Sequence, residues 1–458
     1  MGAQRAPTPP APQSRSATSI AAVGAADAES RRARWRRSSA PTGLAAPAAP
    51  AAPQRPRRRA RRARRARRLA LALIAVAALA LLADVTLRGG PDAAPEPGAF
   101  YDPPRPLPPG VPGTVLRAQA VDDPPAGSRA FRLLYLSRSH TGDPVALSAL
   151  LFIPRRPPPA SRRDIVAFTH GTVGVARRCA VSFDRTTWPL IAGLRQFIAA
   201  GDAVVVPDYE GLGTRGPHPY LVGAPVAWAT LDAVRAASAF GPAVASLRFV
   251  AWGPGSGGQA ALFTGQQAAR YAPELELAGV AAAAPATDLR RLLKRTRDTT
   301  FGRVLSAYTL ATWRRVYPQL RLDEIVAPSG RRTVRRLADT CVAADHARIG
   351  RGVAAQARGL RYEQSNPWDR APWRGLLARN SPGRGIAAPV YLAQGRADRL
   401  VRPAATRGFV RRLCSAGTRV QYRAFRRAAH ADVGRRSARA VARWIADRFA
   451  GRAARTSC

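Results

Sequence analysis

Arg248-Phe-Val-Ala-Trp-Gly-Pro-Gly-Ser-Gly-Gly-Gln-Ala-Ala-Leu-Phe263 is the stretch on which the fold turns. An apolar run enters a glycine cluster and reopens as an Ala/Leu-rich segment, the pattern of a strand, a sharp turn and a helix. A nucleophile elbow has this form, with Gly-x-Ser-x-Gly holding a serine on a strained turn. The register here departs from that form. If Gly253 and Gly257 are the flanking glycines, Gly255 is central and the serine falls one place late, at Ser256. If Ser256 is central, its flanks are Pro254 and Gly258, and the Pro254 ring sits where the turn needs a small residue. Reading without insertion or deletion puts Gly255 at the nucleophile position and leaves Ser256 as a displaced candidate. Ser256-Gly-Gly-Gln259 also reads as a Ser-x-x-Gln capping box for the helix that follows.

Outward from this turn, strand and helix patterns alternate. Ala130 to Tyr135 and Val145 to Ile153 read as a hairpin at a sheet edge, and Asp164 to Phe168 as a buried strand running into Thr169-His-Gly-Thr-Val-Gly174. A strand over Ala203 to Pro207, a helix over about Ala227 to Phe240, and strands over Leu277 to Ala284, Pro389 to Gln394 and Val420 to Phe425 follow. This order predicts an α/β fold with a mostly parallel, doubly wound sheet. Residues 288–380 leave the strand pattern for amphipathic stretches carrying Phe301, Tyr308, Leu310, Trp313, Tyr317, Trp368 and Trp373, which predicts an inserted helical cap. Those aromatics are read either as packing or as an acyl-chain surface. The core is then 113–287 and 381–458.

The chain has 458 residues, 46% of them hydrophobic, ample for one large domain with an insertion. Its formal charge of +45 comes from arginine, since Lys294 is the lone lysine, and no aromatic-interleaved basic patch accompanies it. A nucleic-acid partner is therefore not expected. Residues 1–68 hold 17 Arg against Asp27 and Glu29, a net of +15. Residues 1–56 are Ala, Pro, Ser and Arg without apolar periodicity, a disordered composition. Residues 57–87 join the basic run Arg57 to Arg68 to fifteen residues of Leu, Ala, Ile and Val, Leu69 to Ala83. This is a signal peptide or signal anchor, short against the roughly 20 residues that span a bilayer. A Pro/Gly-rich linker, 88–112, follows. The expected location is secreted or at the outer face of the cytoplasmic membrane, with the membrane as a partner if the leader is retained.

His170-Gly-Thr-Val-Gly with Arg178-Cys-Ala, Pro207-Asp-Tyr-Glu-Gly-Leu-Gly-Thr with Gly216-Pro-His-Pro-Tyr-Leu-Val-Gly223, Tyr317-Pro-Gln-Leu-Arg-Leu-Asp323, Asn380-Ser-Pro-Gly383 and Gln394-Gly-Arg-Ala-Asp-Arg-Leu-Val401 occur in that order. Together they resemble the secretory lipase family of α/β-hydrolases, from about Phe100 to the C-terminus. The resemblance implies an exported enzyme cleaving acylglycerols or other carboxylic esters through a Ser-Asp-His triad under a helical cap. It places the triad acid at Asp398 and the base at His430, in the chain order Ser, Asp, His of this fold. One oxyanion donor is the backbone N–H of the residue after the nucleophile position, Ser256; the other comes from Gly171-Thr172. His170 lies in the oxyanion loop, where backbone matters more than side chain; His218, in the Pro-His-Pro turn, reads as structural, and His140 and His346 as solvated.

An even number of cysteines in an exported chain favours disulfides, and four allow three pairings. Cys179 follows the oxyanion loop and Cys341 lies in the cap, so a Cys179–Cys341 bridge would tether cap to core, leaving Cys414 with Cys458. No His, Cys and carboxylate cluster has metal spacing, so neither metal nor cofactor is expected. The expected ligand is a small-molecule or lipid ester. Three functions stay open: an ester hydrolase using Ser256, a catalytically impaired relative that binds such a ligand, or, least favoured, an Arg-rich surface protein whose partner is an anionic envelope polymer.

Overall fold

Val, Ile, Ala and Phe runs bounded by Gly and Pro become a single sheet in the computed structural model, which describes residues 97–158, 162–342, 363 and 365–458. Its strands are β1 (Val115–Val121), β2 (Ser128–Arg138), β3 (Pro144–Pro154), β4 (Arg163–Phe168), β5 (Ala203–Pro207), β6 (Ala245–Pro254), β7 (Glu276–Ala283), β8 (Val390–Gly395) and β9 (Val420–Phe425). They lie in the order β1-β2-β3-β5-β4-β6-β7-β8-β9. The pairs β1/β2, β2/β3 and β3/β5 are antiparallel, and every pair from β5/β4 to β8/β9 is parallel. Covered on both faces, the central parallel strands carry unbroken apolar runs such as Ala203-Val-Val-Val-Pro207, buried throughout.

The hairpin of β2 and β3 forms as expected, but not at the sheet edge: β1 pairs outside β2. Sequence reading missed β1 because Val115–Val121 has no alternating burial; its middle residues are exposed or half-buried.

Helices α1 (Leu194–Ala200), α2 (Gly223–Ala239) and α3 (Ser256–Tyr271) accompany the first half of the sheet. α4 (Leu289–Thr296), α5 (Thr300–Val316), α6 (Pro328–Ala338) and α7 (Trp373–Arg379) come between β7 and β8, and α8 (Pro403–Cys414) and α9 (His430–Phe449) complete the chain. α2 packs on α3, α1 packs on α9, and both pairs contact the strands. α2 starts four residues before the expected Ala227, because Pro225 falls in its first turn, where a missing N–H costs nothing.

Two apolar cores result. One fills the sheet and its covering helices. The other joins α4 to α7 with Tyr220, Leu221 and Val222 of the loop after β5. Trp313 and Trp373 stack at 5.7 Å and 3°, and Trp368 stands edge-on to Trp373 at 5.4 Å and 87°. Trp313, Trp368, Trp373 and Tyr308 are buried, so these aromatics pack, whereas Phe301 is 39% exposed. Disulfides Cys179–Cys341 and Cys414–Cys458 are formed. No helix among the described residues is long and apolar enough to cross a membrane, and Leu69 to Ala83 lies outside them.

Candidate active site

At the end of β6 the chain turns through Gly255 with φ +57° and ψ −118°, a conformation that favours glycine, and α3 starts at the next residue. Gly253 and Gly257 flank this turn because nothing larger fits. A Cβ on Gly253 would stand 2.1 Å from the Thr169 carbonyl oxygen, and one on Gly257 2.0 Å from the same atom. These close approaches select the register of the elbow: Gly253 and Gly257 are its flanks and Gly255 its centre.

Gly255 faces the predicted base. An ideal Cβ on Gly255 would lie 3.2 Å from His430 Nε2. His430 opens α9, and its Nδ1–H donates to Asp398 Oδ2 at 2.9 Å. Asp398 follows β8, is 3% exposed, and accepts the backbone N–H groups of Leu400 and Val401 on Oδ1 at 2.9 Å each. With Gln394 Nε2 also donating to Oδ2 at 3.4 Å, the buried carboxylate is fixed in place; its bond to Nδ1–H sets the imidazole tautomer and turns Nε2 toward Gly255. Nε2 has no hydrogen-bond partner among the described residues.

Ser256 is turned elsewhere. Its Oγ is 3.1 Å from Thr172 Oγ1, which in turn is 2.8 Å from the Tyr220 hydroxyl. The expected capping box does not form: Gly255 is the N-cap, without a side-chain cap, and Ser256 is already the first helical residue. Gln259 is engaged differently, its Nε2 donating to the carbonyls of Leu221 (3.1 Å) and Asn380 (2.7 Å). It thus joins α3 to the segment after α7.

The loop Thr169–Thr172 presses against the start of α3, with the Thr169 hydroxyl donating to the Gly257 carbonyl at 2.8 Å. As the first N–H of a helix, that of Ser256 has no carbonyl one turn back to bond, and neither it nor the Thr172 N–H makes a hydrogen bond among the described residues. Gly171, Thr172, Gly255, Ser256, Asp398 and His430 all line one cavity of about 2320 Å³, which extends past Leu292, Val304 and Leu305 of the helical cluster.

The remaining histidines divide. Burial lowers His170 to about 4 and His218 to about 3, so both are neutral near pH 7. His218 Nδ1–H donates to the Glu210 carbonyl at 3.0 Å, and the His170 ring lies 4.5 Å from that of Tyr209. His140, expected to be solvated, is not: it approaches the Glu210 carboxylate at 3.2 Å with its side chain 14% exposed. His346 lies outside the described residues. Sequence reading also missed Tyr220, which ends the hydroxyl chain from Ser256; its place inside Pro-His-Pro-Tyr gave only a turn signal.

A mostly parallel sheet with an aspartate after β8 bonded to a histidine after β9 and a glycine-flanked turn after β6 defines an α/β-hydrolase. The chain belongs to the secretory lipase family, whose model matches residues 190–457, more than half of its length. A Mycobacterium tuberculosis (strain CDC 1551 / Oshkosh) protein named "probable inactive lipase" is 26% identical over 377 residues, covering 77% of this chain and 82% of that one. Candida antarctica lipase A in its closed state superposes with a TM-score of 0.66 at 17% identity, over 80% of this chain and 89% of that one. A rice cell wall degrading esterase from Xanthomonas oryzae gives 0.59 at 19% identity, over 74% and 98%. Likeness at these identities concerns the fold.

Proposed function

We propose that this protein is an exported, catalytically impaired relative of the ester-cleaving α/β-hydrolases, which binds an ester or lipid ligand in a site that lacks its nucleophile. The observation carrying this reading is Gly255, whose absent side chain would point at His430 Nε2 from 3.2 Å while Ser256 Oγ bonds to Thr172. In this reading Asp398 orients His430, the N–H groups of Ser256 and of the Gly171-Thr172 loop form the oxyanion hole, and the described helices between β7 and β8 cap the pocket. Without a hydroxyl at position 255, the base has no proton to take from an attacking group. The relative named an inactive lipase is consistent with this. Family membership and two disulfides support export.

The full chain is expected to hydrolyse p-nitrophenyl esters weakly and to resist labelling by a fluorophosphonate. Gly255→Ser is expected to gain both labelling and at least about 10²-fold in hydrolysis, since losing a triad serine can cost about 10⁶-fold. A working hydrolase based on Ser256 would need its hydroxyl to leave Thr172 and the first turn of α3 to shift. Robust wild-type hydrolysis abolished by Ser256→Ala would establish that second reading and overturn the first.

A further inference from the structure

Resting on that reading of the site, we infer that the ligand is a long-chain monocarboxylate, a free fatty acid in preference to its ester, with its head group between Gly255 and His430. A serine hydroxyl would fill this space. With glycine there, a ligand oxygen can enter from the cavity and meet Nε2, which is held in place through Nδ1 by Asp398 at 2.9 Å and is otherwise without a partner among the described residues.

The donors in this space suit two equivalent oxygens. Nε2 takes the acid's own proton while Nδ1–H stays on Asp398; one carboxylate oxygen then accepts from Nε2–H and the other from the N–H groups of Thr172 and Ser256. An ester presents one good acceptor, its carbonyl, and must set a weakly basic alkoxy oxygen and its substituent against the imidazole. Hydrogen bonds between charged groups are also the stronger kind.

Charge favours the acid too. Arg399 and Arg402 beside Asp398, and Arg436 and Arg439 on α9, line the same cavity and are exposed, without an ion-pair partner among the described residues. The nearby carboxylates are already engaged, Asp398 by His430 and Asp432 by Arg435 at 3.2 Å. Arginine is abundant all over this chain, so these residues set the sign of the local field and not the position of the site. The position comes from Gly255 and His430. For the hydrocarbon tail there is a cavity of about 2320 Å³, beyond the roughly 300–1,000 Å³ of ordinary ligand pockets.

The test titrates the full chain with [1-¹³C]oleate and, separately, with methyl oleate, following equilibrium affinity and the carboxyl resonance. Oleate should bind about tenfold or more tightly than the ester, the ratio expected when one hydrogen bond to a charged group is gained. His430→Gln should bring the ratio of oleate to methyl oleate affinity to about one, and Gly255→Ser should weaken oleate about tenfold. Equal affinity for acid and ester, binding of neither, or a preference that survives His430→Gln would each overturn the inference. If Gly255→Ser gains hydrolysis but the wild type shows no acid preference, the carboxylate inference falls and the nucleophile-free site stands. If wild-type protein hydrolyses methyl oleate through Ser256, the underlying reading falls instead.

Discussion

A serine placed at position 255 would inherit the backbone that glycine now occupies, φ +57° and ψ −118°, and would press its Cβ to 3.2 Å from His430 Nε2. Such conformations cost a non-glycine residue about 1–3 kcal/mol. Gly255→Ser should therefore trade stability for chemistry, losing about 1–3 kcal/mol in urea unfolding while gaining ester turnover. A variant that gains turnover with no loss of stability would contradict the strain. A second expectation at this scale concerns His218, lowered to about 3 by burial, with the nearby His170 adding to the shift. The unfolded chain protonates this imidazole below about pH 6.5 and the folded chain only near 3. Its contribution is intact above pH 6.5 and is lost as pH falls toward 3, about 2 kcal/mol of it by pH 5. Asp208, raised to about 6 by burial, works in the opposite direction, its contribution fading as pH rises through 6. A single-site variant separates the two: His218→Gln should lose about 2 kcal/mol less than wild type between pH 7 and 5. Asp398 and His430 were legible because each follows a strand in a recognisable motif. The role of Ser256 was not, since Ser-x-x-Gln describes a cap only if the serine precedes the helix, and here the turn consumes Gly255 as the N-cap.

The elbow as an element depends on two backbones in near contact. Gly253 and Gly257 both approach the Thr169 carbonyl so closely that a methyl group on either would overlap it. Neither site can yield by moving a side chain. Gly257→Ala is expected to cost more than about 3 kcal/mol, well above an ordinary helix-interior exchange. Gly258, whose added Cβ would meet its nearest neighbour at 3.0 Å, should tolerate alanine better. Equal effects in a denaturant series would show that the approach is not what selects these glycines. Strands with continuous apolar runs were readable because burial on both faces leaves no ambiguity. β1 was not, since an edge strand with exposed central residues has neither alternation nor a continuous run. The helices between β7 and β8 were visible as amphipathic stretches, but their attachment through Gln259 and Asn380 was not, because those hydrogen bonds span 121 residues.

For the whole molecule, the cross-links differ in reach. Cys179–Cys341 spans 162 residues and ties the helical cluster to the loop after β4, whereas Cys414–Cys458 spans 44 and pins the chain end beside β9. Loop-closure entropy assigns about 5 kcal/mol to the first and about 4 to the second. Replacing the first pair by alanine should thus destabilise more than replacing the second, as measured by urea midpoints at constant slope. The reverse order would mean that the ends of the longer loop stay close in the unfolded chain. The stacked Trp313 and Trp373, with Trp368 edge-on, bring another consequence, an optical one. Three indoles locked at fixed mutual angles couple their transitions, so the helical cluster carries its own near-ultraviolet circular dichroism signal, separate from Trp252 in the sheet. That signal should fade when the helices loosen while the far-ultraviolet spectrum persists, letting an unlabelled sample report on the roof of the cavity.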